Sequence, residues 1–265
     1  MPGLEIITGF VTAPDTTLTA LGLAAGNSLT IRNTPIDSEI LLVQAWTDSQ
    51  TAGNLRIRSP QMHDNVQGIR LRTLAATLQN LLPRAPKQKL KTQDTLVVEL
   101  SGSATAADIE SACLLVYYSQ IPGIEARLID QAELNERMVD LVTIENTLAL
   151  GTAGGYSGEE ALNAEFNLLR ANKDYAIIGY IVSAECACVR WRGIDTGNLG
   201  VGGPGEPALP ELTRDWFIRM SNEIGAPAIP IFNSSNIAGL LIDGAQDENG
   251  TDVTVTTICA ELSGG

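Results

Sequence analysis

The chain is a series of short apolar runs, rich in Val, Ile, Leu and Thr, that Gly, Pro, Asn and Asp interrupt every ten residues or so. That rhythm predicts an antiparallel β sandwich or barrel. In the first half the runs predict strands over 5–12, 28–32, 39–48, 54–58, 87–91, 95–101 and 111–119. In the second half they fall over 143–148, 167–171, 176–184, 188–192, 228–232, 237–243 and 251–260. Two runs alternate apolar and basic residues with period two, LRIR at Leu55–Arg58 and VRWR at Val189–Arg192. This spacing sends Leu55, Ile57, Val189 and Trp191 to a core, and Arg56, Arg58, Arg190 and Arg192 to the opposite face. Those arginines read either as a basic stripe for a partner or as a face that pairs with acidic neighbours in its own sheet or on the next subunit; the second reading is the simpler one.

Helical spacing occurs once in each half. Leu71, Leu74, Leu78, Leu81 and Leu82 predict a helix over 69–82. Pro210 and Glu211 open a second, 210–224, with Leu212, Trp216, Phe217, Met220 and Ile224 as its apolar stripe and Gly225 just past its end. Both run into Ala-Pro, at Ala85–Pro86 and Ala226–Pro227. Between the halves, Gly123–Leu141 lacks internal Gly and Pro and is rich in Glu, Arg, Leu and Ala, which predicts a linker containing a helix. The stretch Gly193–Pro210 is so rich in Gly and Pro that it reads as an expanded, exposed loop.

These elements occur in the same order twice. TALGLAAG, NSLTIRN, SEILLVQAW, LRIR and RAP in the first half correspond to LALGTAGG, FNLLRAN, YAIIGYIVS, VRWR and GAP in the second. Self-similarity in fixed order implies two copies of one folding unit. The boundaries it suggests are 1–122 and 142–265, with 123–141 as the linker; each half is long enough to bury a core.

Net charge is −14, and it is unevenly shared: residues 1–121 hold nine Lys and Arg against ten Asp and Glu, and the remainder hold eight against twenty-one. Such an acidic surface repels phosphates, so direct nucleic-acid binding is not expected. The local exception is Lys87, Lys89 and Lys91, alternate residues that would share one strand face and guard a sheet edge. No apolar run approaches a bilayer span. MPGLEIITGF lacks the features of a secretory signal, and assembly in the cytoplasm is expected.

Candidate chemistry is sparse. His63 is the single histidine, in a loop with no nucleophile motif around it, which disfavours Ser-His-Asp and Cys-His mechanisms and multi-histidine metal sites. Cys186 and Cys188 form a C-x-C pair without a second pair; Cys113 and Cys259 fall in the last strand of each half and read as equivalent core positions. Glu159/Glu160 and Asp247/Glu248 read as solvated loop charge, 247–252 as a hairpin turn and not a calcium loop, and Asn249-Gly250-Thr251 as an acceptor pattern without context. The glycines near Gly200 are not followed by Lys-Ser/Thr, so they do not make a phosphate loop. The expectation is a protein that is not an enzyme, with no catalytic residue, no cofactor-binding residue and no metal site.

Two tandem all-β halves, each with a late helix, on these repeated blocks resemble the double jelly-roll major capsid proteins of icosahedral, membrane-containing bacterial viruses, the corticovirus-like group in particular. The resemblance covers nearly the whole chain and is one of architecture, not of a signature motif. It implies an all-β fold of two tandem eight-stranded jelly rolls, each with an inserted helix, joined by a short helical linker. It further implies a homotrimeric, pseudo-hexagonal capsomer tiling an icosahedral shell, and a location in the virion. The implied partners are other copies of the chain, neighbouring capsomers, other capsid proteins such as a penton, and an internal viral membrane, toward which Lys87, Lys89 and Lys91 would point. The alternatives are a minor capsid or other structural protein, a glycan-binding double jelly-roll module, for which Tyr156 is the main loop aromatic, and a hydrolase of the double jelly-roll amidase type.

Overall fold

The computed structural model describes residues 1–15, 17–23, 29–48, 51–74, 79–80, 82–84, 87–106, 108–163, 169–246 and 252–264. The chain is mostly β, and its described residues form four sheets whose strand pairs are all antiparallel. The first sheet runs β3 (Gly22–Leu23), β1 (Gly3–Thr12), β10 (Ile109–Tyr118), β4 (Ile40–Asp48), β7 (Gln79–Asn80), with β8 (Gln88–Lys89) also on β4. The second runs β2 (Thr19–Ala20), β9 (Val97–Ser101), β5 (Asn54–Arg58), β6 (Ile69–Arg72). In the second half one sheet runs β11 (Leu128–Ile129), β18 (Ile229–Asn233), β15 (Asp174–Val182), β20 (Asp252–Leu262), β12 (Met138–Ala149). The other runs β13 (Gly155–Tyr156), β19 (Leu241–Gln246), β16 (Cys186–Arg192), β17 (Val201–Gly205), with β14 (Glu160–Ala161) beside β19.

The two halves repeat one strand order. The first strand pairs with the last, β1 with β10 and β12 with β20, and the last pairs in turn with β4 or β15. LRIR and VRWR form β5 and β16, each flanked by the penultimate strand of its half, β9 or β19. Within the first half, Ile7, Leu42, Leu55, Ile57, Leu100 and Leu114 are among the residues packed between its two sheets. Within the second, Trp191 lies at the centre: its ring packs at a tilt against Tyr180 at 5.0 Å, meets Phe217 edge-on at 5.9 Å, and its Nε1 donates to Thr257 Oγ1. Leu55, Ile57, Val189 and Trp191 are all fully buried, as period two requires.

The helices differ from the sequence expectation. Ile69–Arg72 is not the start of a helix but strand β6, in register with β5 from Ile57↔Ile69 to Asn54↔Arg72. IRLR itself alternates, and the pairing with LRIR outweighs a leucine spacing that leaves Leu74 54% exposed. Residues 75–78, 81 and Ala85–Pro86 lie outside the described residues, and no helix occurs in the first half among those described. In the second half α2 (Pro210–Thr213) and α3 (Trp216–Ile224) replace the single helix over 210–224. Gly225 closes α3 in the left-handed region (φ 72°), its N–H donating to Ser221. The linker helix is only α1 (Gln131–Arg137), capped by Asp130; from Met138 the chain is already β12, because the segment containing β-branched Val142, Thr143 and Ile144 pairs with β20 continuously from Asp140 to Ala149.

Other strand limits also move. The run at 28–32 contributes a single bridge, Thr30↔Thr95, among its described residues. Residues 169–171 are not strand, and 164–168 are outside the described residues, as is the 247–251 turn with its acceptor pattern. The run at 237–243 begins as a 3-10 turn, Ser234–Gly239, before β19. The Gly/Pro-rich stretch is the largest correction. It forms a buried strand, β17, and Asp195, Thr196 and Leu199 before it are buried too. A Cβ on Gly202 would meet Val189 O at 2.1 Å, and one on Gly203 would meet Tyr180 Oη at 2.3 Å. The glycines are therefore the condition for a strand laid closely on β16, not a sign of a free loop.

Trp191→Asp, which buries a carboxylate among Tyr180, Phe217 and Thr257, is expected to destabilise the fold by several kcal/mol in urea unfolding; an unchanged midpoint contradicts this core assignment.

Candidate functional site

The first-half sheet β1–β10–β4 is buried on both faces. Residues Ala112, Leu114, Val116 and Tyr118 of β10 turn to the core of the first half; Cys113, Leu115 and Tyr117 turn to the second half, with Leu4, Ile6 and Trp46. What they meet is the outer face of β16 and β17. Trp46 Nε1 donates to Ala187 O at 2.8 Å and its ring meets Trp216 edge-on at 5.9 Å. Thr8 Oγ1 lies 3.3 Å from both Cys113 Sγ and Cys188 Sγ, and Ile6 N–H donates to Gly200 O at 2.8 Å. The junction between the halves is thus apolar and continuous with the core of the second half.

This junction changes the role of several singled-out residues. Cys113 and Cys259 are not equivalent: Cys113 faces the junction, whereas Cys259 faces the core of its own half, where burial pushes its thiol up to about 12. Burial likewise raises the Cys113 thiol. All four cysteines are buried and none is in a disulfide; Cys186 and Cys188 pack into the interior. Of the three lysines only Lys89 lies within a strand, β8, and their settings differ. Lys87, its side chain 5% exposed, spans the junction to Glu223 of α3 at 2.8 Å and donates to Val43 O at 3.0 Å. Gln44 Nε2 donates to the same carboxylate at 2.7 Å. Lys89 is exposed beside Glu39, and Lys91 is exposed. Nothing in the spacing of PKQKLKT could reveal Lys87's partner, 136 residues away.

The arginines behave as the alternation predicts. On β16, Arg190 forms a two-point pair with Asp243 on β19, at 2.6 and 2.7 Å, and its guanidinium lies 3.4 Å over the Tyr156 ring. On β5, Arg56 forms the same two-point pair with Glu99 on β9, at 2.6 and 2.8 Å, and Arg58 shares that carboxylate. Arg56↔Glu99 and Arg190↔Asp243 are directly opposed across the corresponding strand pair of each half. The Arg56 and Arg58 guanidiniums hold the Glu99 carboxyl down at about 2. Arg192 pairs with Glu159. The sequence did not single out Glu99, Asp243 or Glu223; the first two could have been found as acidic residues in the penultimate run of each half, opposite LRIR and VRWR.

The two copies of this pair differ in how far the arginine is buried. Arg190 is 7% exposed under the first-half sheet, whereas Arg56 and Arg58 lie on an outer face of the chain with exposed Arg70 and Arg72 beside them on β6. At the other end of the stack, the outer face of β12–β20–β15 carries Leu141 (55% exposed), Ile181 (37%) and exposed Thr143, Glu145, Thr147 and Ala149.

Clefts add little chemistry. One of about 480 Å³ lies between 34–40 and 89–92, lined by Asp37, Glu39, Lys89 and Lys91 among others. His63 is exposed in its loop, and Glu160 lies within reach of Asn146. Among the described residues, no group of three or more His, Cys, Asp or Glu side chains is placed to hold a metal ion.

No family model and no curated protein matches the sequence. Among solved structures, the PBSX exported protein XepA aligns over 96% of this chain and 86% of its own, at 12% identity and a TM-score of 0.27. A likeness at that score carries no argument about fold or function.

Glu223→Ala, which strands the Lys87 ammonium in the junction, is expected to cost about 3 kcal/mol or more in urea unfolding, with most of it recovered in Lys87→Met/Glu223→Leu. For Glu99, whose carboxyl is depressed from 4.5 to about 2 in the fold, the stabilisation is present above pH 4.5 and lost as pH falls through 2. Glu99→Gln should therefore be about 2 kcal/mol less stable than the parent at pH 7, and the gap should close on acid titration toward pH 2.

Proposed function

We propose that the two sheet pairs are tandem jelly rolls, one on either side of α1, and that the chain is a viral major capsid protein, a building block and not a catalyst. The observation that carries this reading is the repeated strand order. With the short strands β2/β3, β7/β8 and β13/β14 each counted as one, each half has eight strands, and first–last–third pairing (β1–β10–β4, β12–β20–β15) in one sheet faces second–penultimate–fourth pairing (β2–β9–β5, β13–β19–β16) in the other. That is the order in which a strip of eight antiparallel strands rolls into a closed two-sheet sandwich. Two rolls fused by a head-to-tail contact suit a trimeric tile, in which three chains present six similar units around an axis and the heterologous contact closes.

On this reading the functional surfaces are the broad lateral faces. The partners are further copies in a homotrimer, neighbouring capsomers and other capsid proteins such as a penton, over an internal membrane. The site of action is the virion after assembly in the host cytoplasm. The inward-facing role expected for the lysines is narrowed to Lys89 and Lys91, since Lys87 is committed to Glu223. The glycan-binding alternative is weakened by Tyr156, which lies under Arg190 and is not an exposed sugar platform.

Purified protein is expected to elute as a compact trimer in multi-angle light scattering, and to appear as pseudo-hexagonal tiles by electron microscopy. A stable monomer at micromolar concentration contradicts this function.

A further inference from the structure

The junction inside the chain shows what the outer face of one sheet looks like when it covers another. The covering face belongs to β1–β10–β4; the covered face belongs to β16–β17–β19 and includes the Arg190–Asp243 pair. Because the halves repeat one strand order, each face has a counterpart in the other half. The counterpart of the covering face is the outer face of β12–β20–β15. The counterpart of the covered face is the outer face of β5–β6–β9, with the Arg56–Glu99 pair in the position of Arg190–Asp243. In a single chain both counterparts carry exposed side chains, Arg70 and Arg72 on one and Leu141, Thr143, Glu145, Thr147 and Ile181 on the other.

We propose that the outer face of β12–β20–β15 in one copy of the chain seats on the arginine-bearing face of β5–β6–β9 in a second copy, repeating between chains the contact that joins the halves within one. The inference rests on the assembly reading above and names its contact surfaces.

Two independent features support this occupant. The first is charge. The strands β5, β6 and β9 carry Arg56, Arg58, Arg70 and Arg72 against the single carboxylate of Glu99. The strands β12, β15 and β20 carry no Lys or Arg, and Asp140, Glu145 and Asp252 are exposed on them. Opposite signs on the two free faces favour one face meeting the other over either meeting itself. The second is surface chemistry. Apart from Glu145 and Asp252, the exposed outer face of β12–β20–β15 is built mainly from Thr, Ala, Leu and Ile, short and apolar side chains that leave little to hold water. The Arg56–Glu99 pair is already neutralised within its own sheet, as Arg190–Asp243 is, so covering it leaves no uncompensated charge on that pair.

The two faces differ, so the contact is heterologous and can be tested by complementation. One variant blocks the first face with Thr143→Lys/Thr147→Lys; the other blocks the second with Arg70→Glu/Arg72→Glu. All four positions are exposed, and far-ultraviolet circular dichroism with thermal melting verifies that each full-length variant folds; Glu145→Lys replaces the threonine pair, and Arg72→Glu alone the arginine pair, should either fail. Each variant alone is expected to lose self-association, with the dissociation constant by analytical ultracentrifugation raised roughly tenfold or more. An equimolar mixture is expected to form a one-to-one dimer and stop there, since each partner keeps one good face. If the parent chain assembles but neither variant weakens it, or if the mixture stays monomeric, the proposed contact is wrong while the assembly reading stands. If the parent chain is itself monomeric, both are wrong.

Discussion

A β sheet with two apolar faces cannot stand in water, and the rest of this molecule follows from that constraint. The β1–β10–β4 sheet carries apolar side chains on both sides, so one face must be covered by the partner sheet of its own half and the other by something else. The something else is the outer face of β16 and β17. Trp46 reaches across to Ala187 and Trp216, Thr8 sits between two thiols, and Lys87 is drawn into the interior with Glu223 to meet it. The two halves are therefore joined by a packed interior and not only by the α1 segment.

The same constraint explains the glycine-rich strand. To lie against β16 and still leave room for Tyr180 and Trp216 from within the second half, β17 has to give up side chains at Gly202, Gly203 and Gly205. Loss of side chains normally weakens a strand, through backbone entropy and missing packing. Here burial between two halves, and the hydrogen bonds that Tyr180 and Trp216 send to the β17 carbonyls, offset that weakness.

The halves share an ion-pair device whose setting differs. Arg190–Asp243 is closed in beneath the first half, whereas Arg56–Glu99, with Arg56 only half-buried, lies beside exposed Arg70 and Arg72. Cross-strand pairing makes an arginine compatible with either setting, because its charge is met inside its own sheet before any partner arrives. A repeated unit can in this way use one face as an internal joint in one copy and leave it free in the other.

Much of this was legible in the residues. Period two in LRIR and VRWR determined which side chains enter a core and which do not, and the repeated order of blocks determined that two like units exist, since both are local or collinear properties of the chain. The contrast between the unbroken apolar run ACLLVYY and the alternating VTIENTLA also separates a sheet covered on both faces from one with a free face. Tertiary structure alone decided the rest. Spacing cannot distinguish an IRLR strand from the first turn of a leucine-striped helix until β5 offers its edge. Nor can composition reveal that a run of glycines is buried, or that Lys87 has a carboxylate far along the chain. A side chain's periodicity states which face it occupies; what lies against that face is a matter of long-range packing, in which many weak contacts are chosen together.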